Sequence, residues 1–165
     1  MDVVKLNIPY DFLKDLIRLN WHDIRFGLDN ELIGKRFAIE HAIRQVTSQD
    51  VTSDLVVELA GATSSDPIGD MVEALAALEP TADEANTKKK WLVGVLAWLL
   101  ENSSTMKDPL RAVEEVYADF DYPPELEPFV RYMPFVPDAD SNEPSVQTLM
   151  ERWQKYVAEA SRSLI

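Results

Sequence analysis

Cysteine is absent from the 165 residues. Its absence removes disulfide scaffolds, thiolate metal sites, iron–sulfur clusters and a cysteine nucleophile together. Only two histidines occur, His22 and His41. They share no motif, no His-Glu-x-x-His is present, and no acid–histidine spacing resembles a zinc site, so neither is assigned a catalytic or metal-ligating role. Glycine is scarce, five in all, and none builds a phosphate loop; Gly-x-Ser-x-Gly and Ser-x-x-Lys are missing as well. An enzyme organised around a nucleotide-binding loop is therefore not indicated. No metal and no cofactor is expected. Long apolar runs are lacking too. The longest, Trp91–Leu100, has ten residues, half of the ~20 that cross a bilayer, and reads as a buried helix. The stretch Met1–Phe12 carries Asp2 and Asp11 and no apolar signal-peptide core, so a cytoplasmic protein with no membrane association is expected.

Positive charge is also in short supply. Sixteen Lys+Arg face 29 Asp+Glu, for a net charge of −13. Such a chain is repelled by phosphate backbones, which argues against nucleic-acid binding. With 46% apolar residues it is too apolar for a disordered acidic tail. A chain of this length buries roughly 70% of its unfolded surface, enough for a proper core. The charge is unevenly placed. Residues 1–50 are nearly balanced at −1, residues 51–100 carry −5, residues 101–150 carry −8, and the last fifteen carry +1. From Glu114 to Glu143 nine acids are opposed only by Arg131.

Apolar spacing predicts a succession of helices. Tyr10–Leu19 places Phe12, Leu13, Leu16 and Ile17 on one face. Trp21–Gly27 reads as a short helix stopped by its glycine. Lys35–Thr47 repeats the pattern. Ser53 is expected to cap a short helix that Gly61 ends. Asp66-Pro67 and Asp108-Pro109 each read as an Asp cap followed by Pro at the first helical position. Thr81 and Glu84 have capping-box spacing and open a long helix to about Glu101, whose apolar half, Trp91–Leu100, is the expected centre of the protein. Pro123-Pro124 breaks the chain, Leu126, Phe129, Val130 and Met133 suggest another short helix, and Pro134–Pro144 reads as a polar loop. Glu143–Leu164 closes the chain with the most regular stripe. Val3–Ile8 alternates only partly and could be an arm or an edge strand. The expected fold is all-α: one domain over residues 1–165, a bundle of about seven or eight helices, with a solenoid-like stack as the alternative.

Two clusters of charge stand out. Lys88-Lys89-Lys90 is the one basic run and is expected to be a solvated helix face, paired with Asp83 or Glu84. The run Glu114 to Tyr122 is the more unusual: Glu115 and Asp119 are four apart on one helix face, with Asp121 and Tyr122 at its end. Three readings compete. The carboxylates could hold Mg²⁺ or Ca²⁺, act as general acid and base, or receive Lys and Arg of a partner beside rigid tyrosines. The EF-hand spacing is absent. Acids at a helix C-terminus oppose the macrodipole, which points weakly away from a purely structural purpose. Tyr117 and Phe120 are expected in the core.

Certain stretches resemble a known family. They are Ile8-Pro9-Tyr10-Asp11-Phe12-Leu13, Leu19-Asn20-Trp21, Lys90-Trp91, and Glu115-Val116-Tyr117-Ala118-Asp119-Phe120-Asp121-Tyr122-Pro123, followed by Phe129-Val130 and Tyr132-Met133-Pro134. Together they resemble an uncharacterised bacterial family, domain of unknown function family 2247, over nearly the whole chain. The Tyr-Ala-Asp-Phe-Asp-Tyr-Pro run is the most specific piece. The resemblance carries no activity, cofactor or catalytic residue with it. Small acidic helical proteins of this kind are similar to immunity proteins encoded beside bacterial toxins.

The expectation is accordingly a non-enzymatic protein-binding protein, most concretely an immunity protein that neutralises a basic toxin domain through an acidic face. Its partner-binding residues would be Glu114, Glu115, Asp119, Asp121, Tyr122, Glu125 and Glu127. The alternatives are a metal-dependent hydrolase using the carboxylates of residues 114–127, and a regulatory helical adaptor. Oligomeric state is left open.

Overall fold

A computed structural model describes residues 6–48, 53–131 and 144–164. Among them are eight α-helices: α1 (Tyr10–Leu13), α2 (Trp21–Asp29), α3 (Lys35–Thr47), α4 (Asp54–Ala60), α5 (Ile68–Ala77), α6 (Glu84–Glu101), α7 (Pro109–Asp119) and α8 (Val146–Arg162). Two 3₁₀ turns, Ser103–Thr105 and Pro124–Phe129, join them. No strand occurs among the described residues. The first half of Val3–Ile8, all of the Pro134–Pro144 loop but Pro144, and Met133 lie outside them.

The capping chemistry explains most boundaries. Ser53 accepts from the Leu55 amide, Asp108 from Arg111 with Pro109 at the first position, and Ser145 from Thr148. Each satisfies an amide that the first turn leaves without an intrahelical partner. Two expected caps fail. Asp83, not Thr81, caps α6 by accepting from Asn86. Asp66 turns back to accept from the Thr63 amide at 2.7 Å, so Pro67 itself occupies the cap position of α5. The first helix is shorter than its apolar spacing suggests, ending at Leu13. Leu13 and Ile17 are nonetheless both buried, and the chain beyond is held by the Arg18 amide donating to Leu164 O.

Helix α6 is the centre, as its apolar half implies. From Trp91 to Leu99 only Trp98 is not buried. One side of α6 meets α2, which pairs with α5; α3 packs along α4. Its other side meets α7 and α8, and α8 also covers the Pro124–Phe129 turn. The buried hydrophobic residues form one cluster. This is a bundle around a central helix, and a linear solenoid stack does not describe it. Two tryptophans fasten the centre: Trp91 Nε1 donates to Asp23 O at 2.8 Å and Trp153 Nε1 to Leu96 O at 3.1 Å. Each ring buries a large apolar area while its one donor stays satisfied.

Gly27 does not stop α2, which runs on to Asp29. The glycine is there for Trp91: a Cβ at position 27 would lie 2.5 Å from Trp91 Cζ2 and 2.9 Å from Ile33 Cδ1. The indole cannot retreat without losing its bond to Asp23. Gly27→Ala therefore destabilises the protein by about 1–3 kcal/mol through overpacking, although alanine is the better helix former by about 1 kcal/mol. Urea unfolding of the variant measures this; unchanged stability contradicts it.

Candidate functional site

The candidate partner-binding residues lie on the end of α7 and the turn that follows. Helix α7 terminates in a Schellman arrangement: the Asp121 amide donates to Ala118 O at 3.2 Å and the Tyr122 amide to Tyr117 O at 2.8 Å. That ending needs a left-handed residue just past the cap, usually glycine. Here Asp121 takes it, with φ 64°, and Tyr122 follows with φ 56°. Aspartate tolerates this conformation, but an aromatic residue there is strained, at a cost of order 1–3 kcal/mol. The Tyr122 ring packs edge-on against Tyr117, centroids 5.3 Å apart, the contact that usually accompanies this motif. Tyr122 is still 60% exposed. Tyr117 and Phe120 are half-buried and pack against the core. The Tyr-Ala-Asp-Phe-Asp-Tyr-Pro run thus encodes a helix end that anchors two aromatics inward and turns Asp121 and Tyr122 outward.

Glu115, Asp119, Asp121, Glu125 and Glu127 are all exposed. Glu115 makes only a loose exposed pair with Arg111, at 3.7 Å. Glu114 differs. Its side chain is 15% exposed and accepts from Arg131 Nε at 2.7 Å, while Arg131 Nη2 reaches Asp108 at 3.0 Å. Hydrogen bonding from Arg131 holds the Asp108 carboxyl below its ordinary value, and Glu114 raises the Arg131 guanidinium above its own. The one base within this acidic stretch is therefore turned toward Glu114 and Asp108, and Glu114 serves the fold. Among the described residues no three His, Asp or Glu converge to hold a metal ion.

The basic run divides. Lys88 pairs with Glu84 at 3.4 Å on an exposed face, as expected. Lys90 does not face solvent: its Nζ lies 2.7 Å from Asp23 Oδ2, with side chains 12% and 1% exposed. Asp23 also completes the capping box of α2 by accepting from the Asn20 amide. His22 is held at the same corner, Nε2 to Pro80 O at 2.8 Å and its amide to Glu79 at 3.1 Å.

A second polar constellation has no counterpart in the sequence reading. His41 on α3 is fixed at both ring nitrogens, Nδ1 to the Tyr10 hydroxyl at 3.0 Å and Nε2 to Gln45 Nε2 at 3.2 Å. Trp21 and Tyr10 both stack edge-on against it. These groups line an open cleft of about 500 Å³ together with Lys14, Arg18 and Arg44. Its parts come from α1, the connector after it, α2 and α3, so no single motif announces them. Burial, helped by Arg44, lowers the His41 pKa from 6.5 to about 4. Between those values the unfolded chain binds a proton that the folded chain refuses. Stability is therefore full above pH 6.5 and is lost as pH falls toward about 4, reaching about 2 kcal/mol by pH 5. Urea midpoints at pH 7 and pH 5 measure the slope. His41→Gln should flatten it, and an unchanged slope in that variant contradicts the assignment.

Among the described residues no helix is long and apolar enough to cross a membrane. Residues 10–161 match the model of a family described as an uncharacterized protein conserved in bacteria, DUF2247. No curated protein and no solved structure matches the chain.

Proposed function

We propose that this chain, which belongs to the uncharacterised bacterial family DUF2247, is a non-enzymatic protein-binding protein, an immunity protein that neutralises a basic toxin domain. The observation that carries the reading is the outward turn at the end of α7. Tyr122 is exposed there, the acids Asp119, Asp121, Glu125 and Glu127 lie close to it in sequence, and Arg131 is tied to Glu114 and Asp108. Such a face has the composition of an interface anchor: a rigid aromatic that loses little entropy on contact, among charges of one sign. A nuclease-type toxin is basic because its substrate is polyanionic. An acidic inhibitor covers the same surface and is steered toward it over the screening length. The strained Asp121-Tyr122 backbone supports the same reading, since strain persists where something besides stability holds it. The contact set is Glu115, Asp119, Asp121, Tyr122, Glu125 and Glu127, with Glu114 set aside.

The test is protection. A toxin domain encoded by the gene next to this one, induced in a bacterial host, should arrest growth. Co-expression of this protein should restore it. Arrest that persists with the protein folded and abundant counts against the reading.

A further inference from the structure

The cleft beside His41 lies on α1, α3 and the connector between α1 and α2, away from the acidic turn after α7, and its chemistry has the opposite sign. Three cations line it, Lys14, Arg18 and Arg44, against two acids, Asp15 and Glu79. Lys14 is held by Asp11 at 3.4 Å, and Glu79 accepts from the His22 amide. Among the described residues neither Arg18 nor Arg44 has a carboxylate within ion-pair distance. In a chain of net charge −13, two such guanidinium groups at one cleft are notable, because carboxylates to pair them are plentiful.

The donors are arranged as well. The Tyr10 hydroxyl is bonded to His41 Nδ1 at 3.0 Å, and His41 Nε2 lies 3.2 Å from the Gln45 amide. Arg44 also hydrogen-bonds the Tyr10 hydroxyl, which places its guanidinium on the polar wall of the cleft, where an anionic oxygen could accept from it. Asn20 and Ser48 add polar groups to the wall, and its apolar part is formed by Ile17, Leu19 and Trp21. About 500 Å³ falls within the range of small-molecule sites, and a few convergent polar groups on an apolar wall is their usual make-up.

We propose that this cleft binds a small organic anion, a carboxylate or phosphate monoester carried on a ring-sized apolar body. Arg18 and Arg44 face the anionic oxygens, and Trp21 with Ile17 and Leu19 face the body. Guanidinium groups suit both anions because their paired donors match two oxygens at once. Carboxylate and phosphate ester share this chemistry, and the test separates them.

The two histidines give two ring signals, which makes the site readable by NMR. The full-length protein is titrated with benzoate, phenyl phosphate, inorganic phosphate and benzylammonium. The expected result is a saturable shift of the His41 signal with benzoate or phenyl phosphate, His22 unmoved, and the stronger of the two naming the anion. The double variant R18Q/R44Q, at two exposed positions, should weaken that binding at least tenfold with its circular dichroism unchanged. No saturable shift with either ring-bearing anion up to about 10 mM, a concentration that detects millimolar binding, overturns the proposal. So does an equal response to inorganic phosphate or to benzylammonium, or unchanged affinity in the double variant. None of these outcomes bears on toxin protection.

Discussion

Lys90→Met should be the most damaging single substitution at a charged residue, lowering stability by about 3–5 kcal/mol. Asp23 is 1% exposed at its side chain and its Oδ2 takes both Lys90 Nζ and the Asn20 amide. Its Oδ1 has no partner at all. Removing the ammonium leaves a buried carboxylate with one backbone donor. The rest of the site cannot yield: the Asp23 carbonyl holds Trp91, and Trp91 lies against Gly27. For a chain of this length the loss lowers Tm by about 10–15 °C. A second substitution separates the cause from mere loss of packing. Asn at position 23 keeps an oxygen for the Asn20 amide without the charge, so D23N/K90M should recover much of the stability that K90M loses. A double variant as unstable as the sum of its parts would mean that the pair contributes through shape alone.

The second large effect concerns binding. D119K/D121K/E125K changes the charge of the turn after α7 by six units at three exposed positions, so the fold should tolerate it. Asp119 and Asp121 stand at the C-terminal end of α7, where a cation suits the macrodipole better than an acid. Lysine at 121 must adopt the left-handed backbone there, a modest cost for a residue that is already not glycine. Association with a basic toxin domain should slow by 10- to 1,000-fold as steering turns to repulsion. The wild-type rate should fall steeply with added salt, and the variant rate should rise or stay flat. Tyr122→Ala should instead act mainly on dissociation, since it removes contact area without altering the field.

The sequence displayed what depends on neighbours. Lys35–Thr47, Asp54–Ala60 and the start of α7 were all legible, because their caps and stripes are spelled within a few residues. The buried run Trp91–Leu100 named the central helix because an apolar surface on all sides has only one place to go. What escaped depends on contacts far along the chain. Gly27 reads locally as a stop signal, and only Trp91, 64 positions on, explains it. Lys90 reads as a solvated member of a basic run, and its partner Asp23 is 67 residues away. Glu114 looked like its exposed acidic neighbours until Arg131 folded back on it. The His41 cleft was invisible for the same reason: Tyr10 is 31 residues from His41, and Trp21 and Arg18 come from separate segments. A lone histidine on a helix carries no signal of what surrounds it.

The central claim is that the exposed turn after α7 receives a basic partner. Isothermal titration of a basic toxin domain whose growth arrest this protein relieves, against wild type and D119K/D121K/E125K, tests it most directly, with matched circular dichroism. The account predicts saturable one-to-one binding by wild type and an affinity at least 100-fold weaker for the variant, a difference of about 2.7 kcal/mol. Equal affinity for both proteins would contradict it.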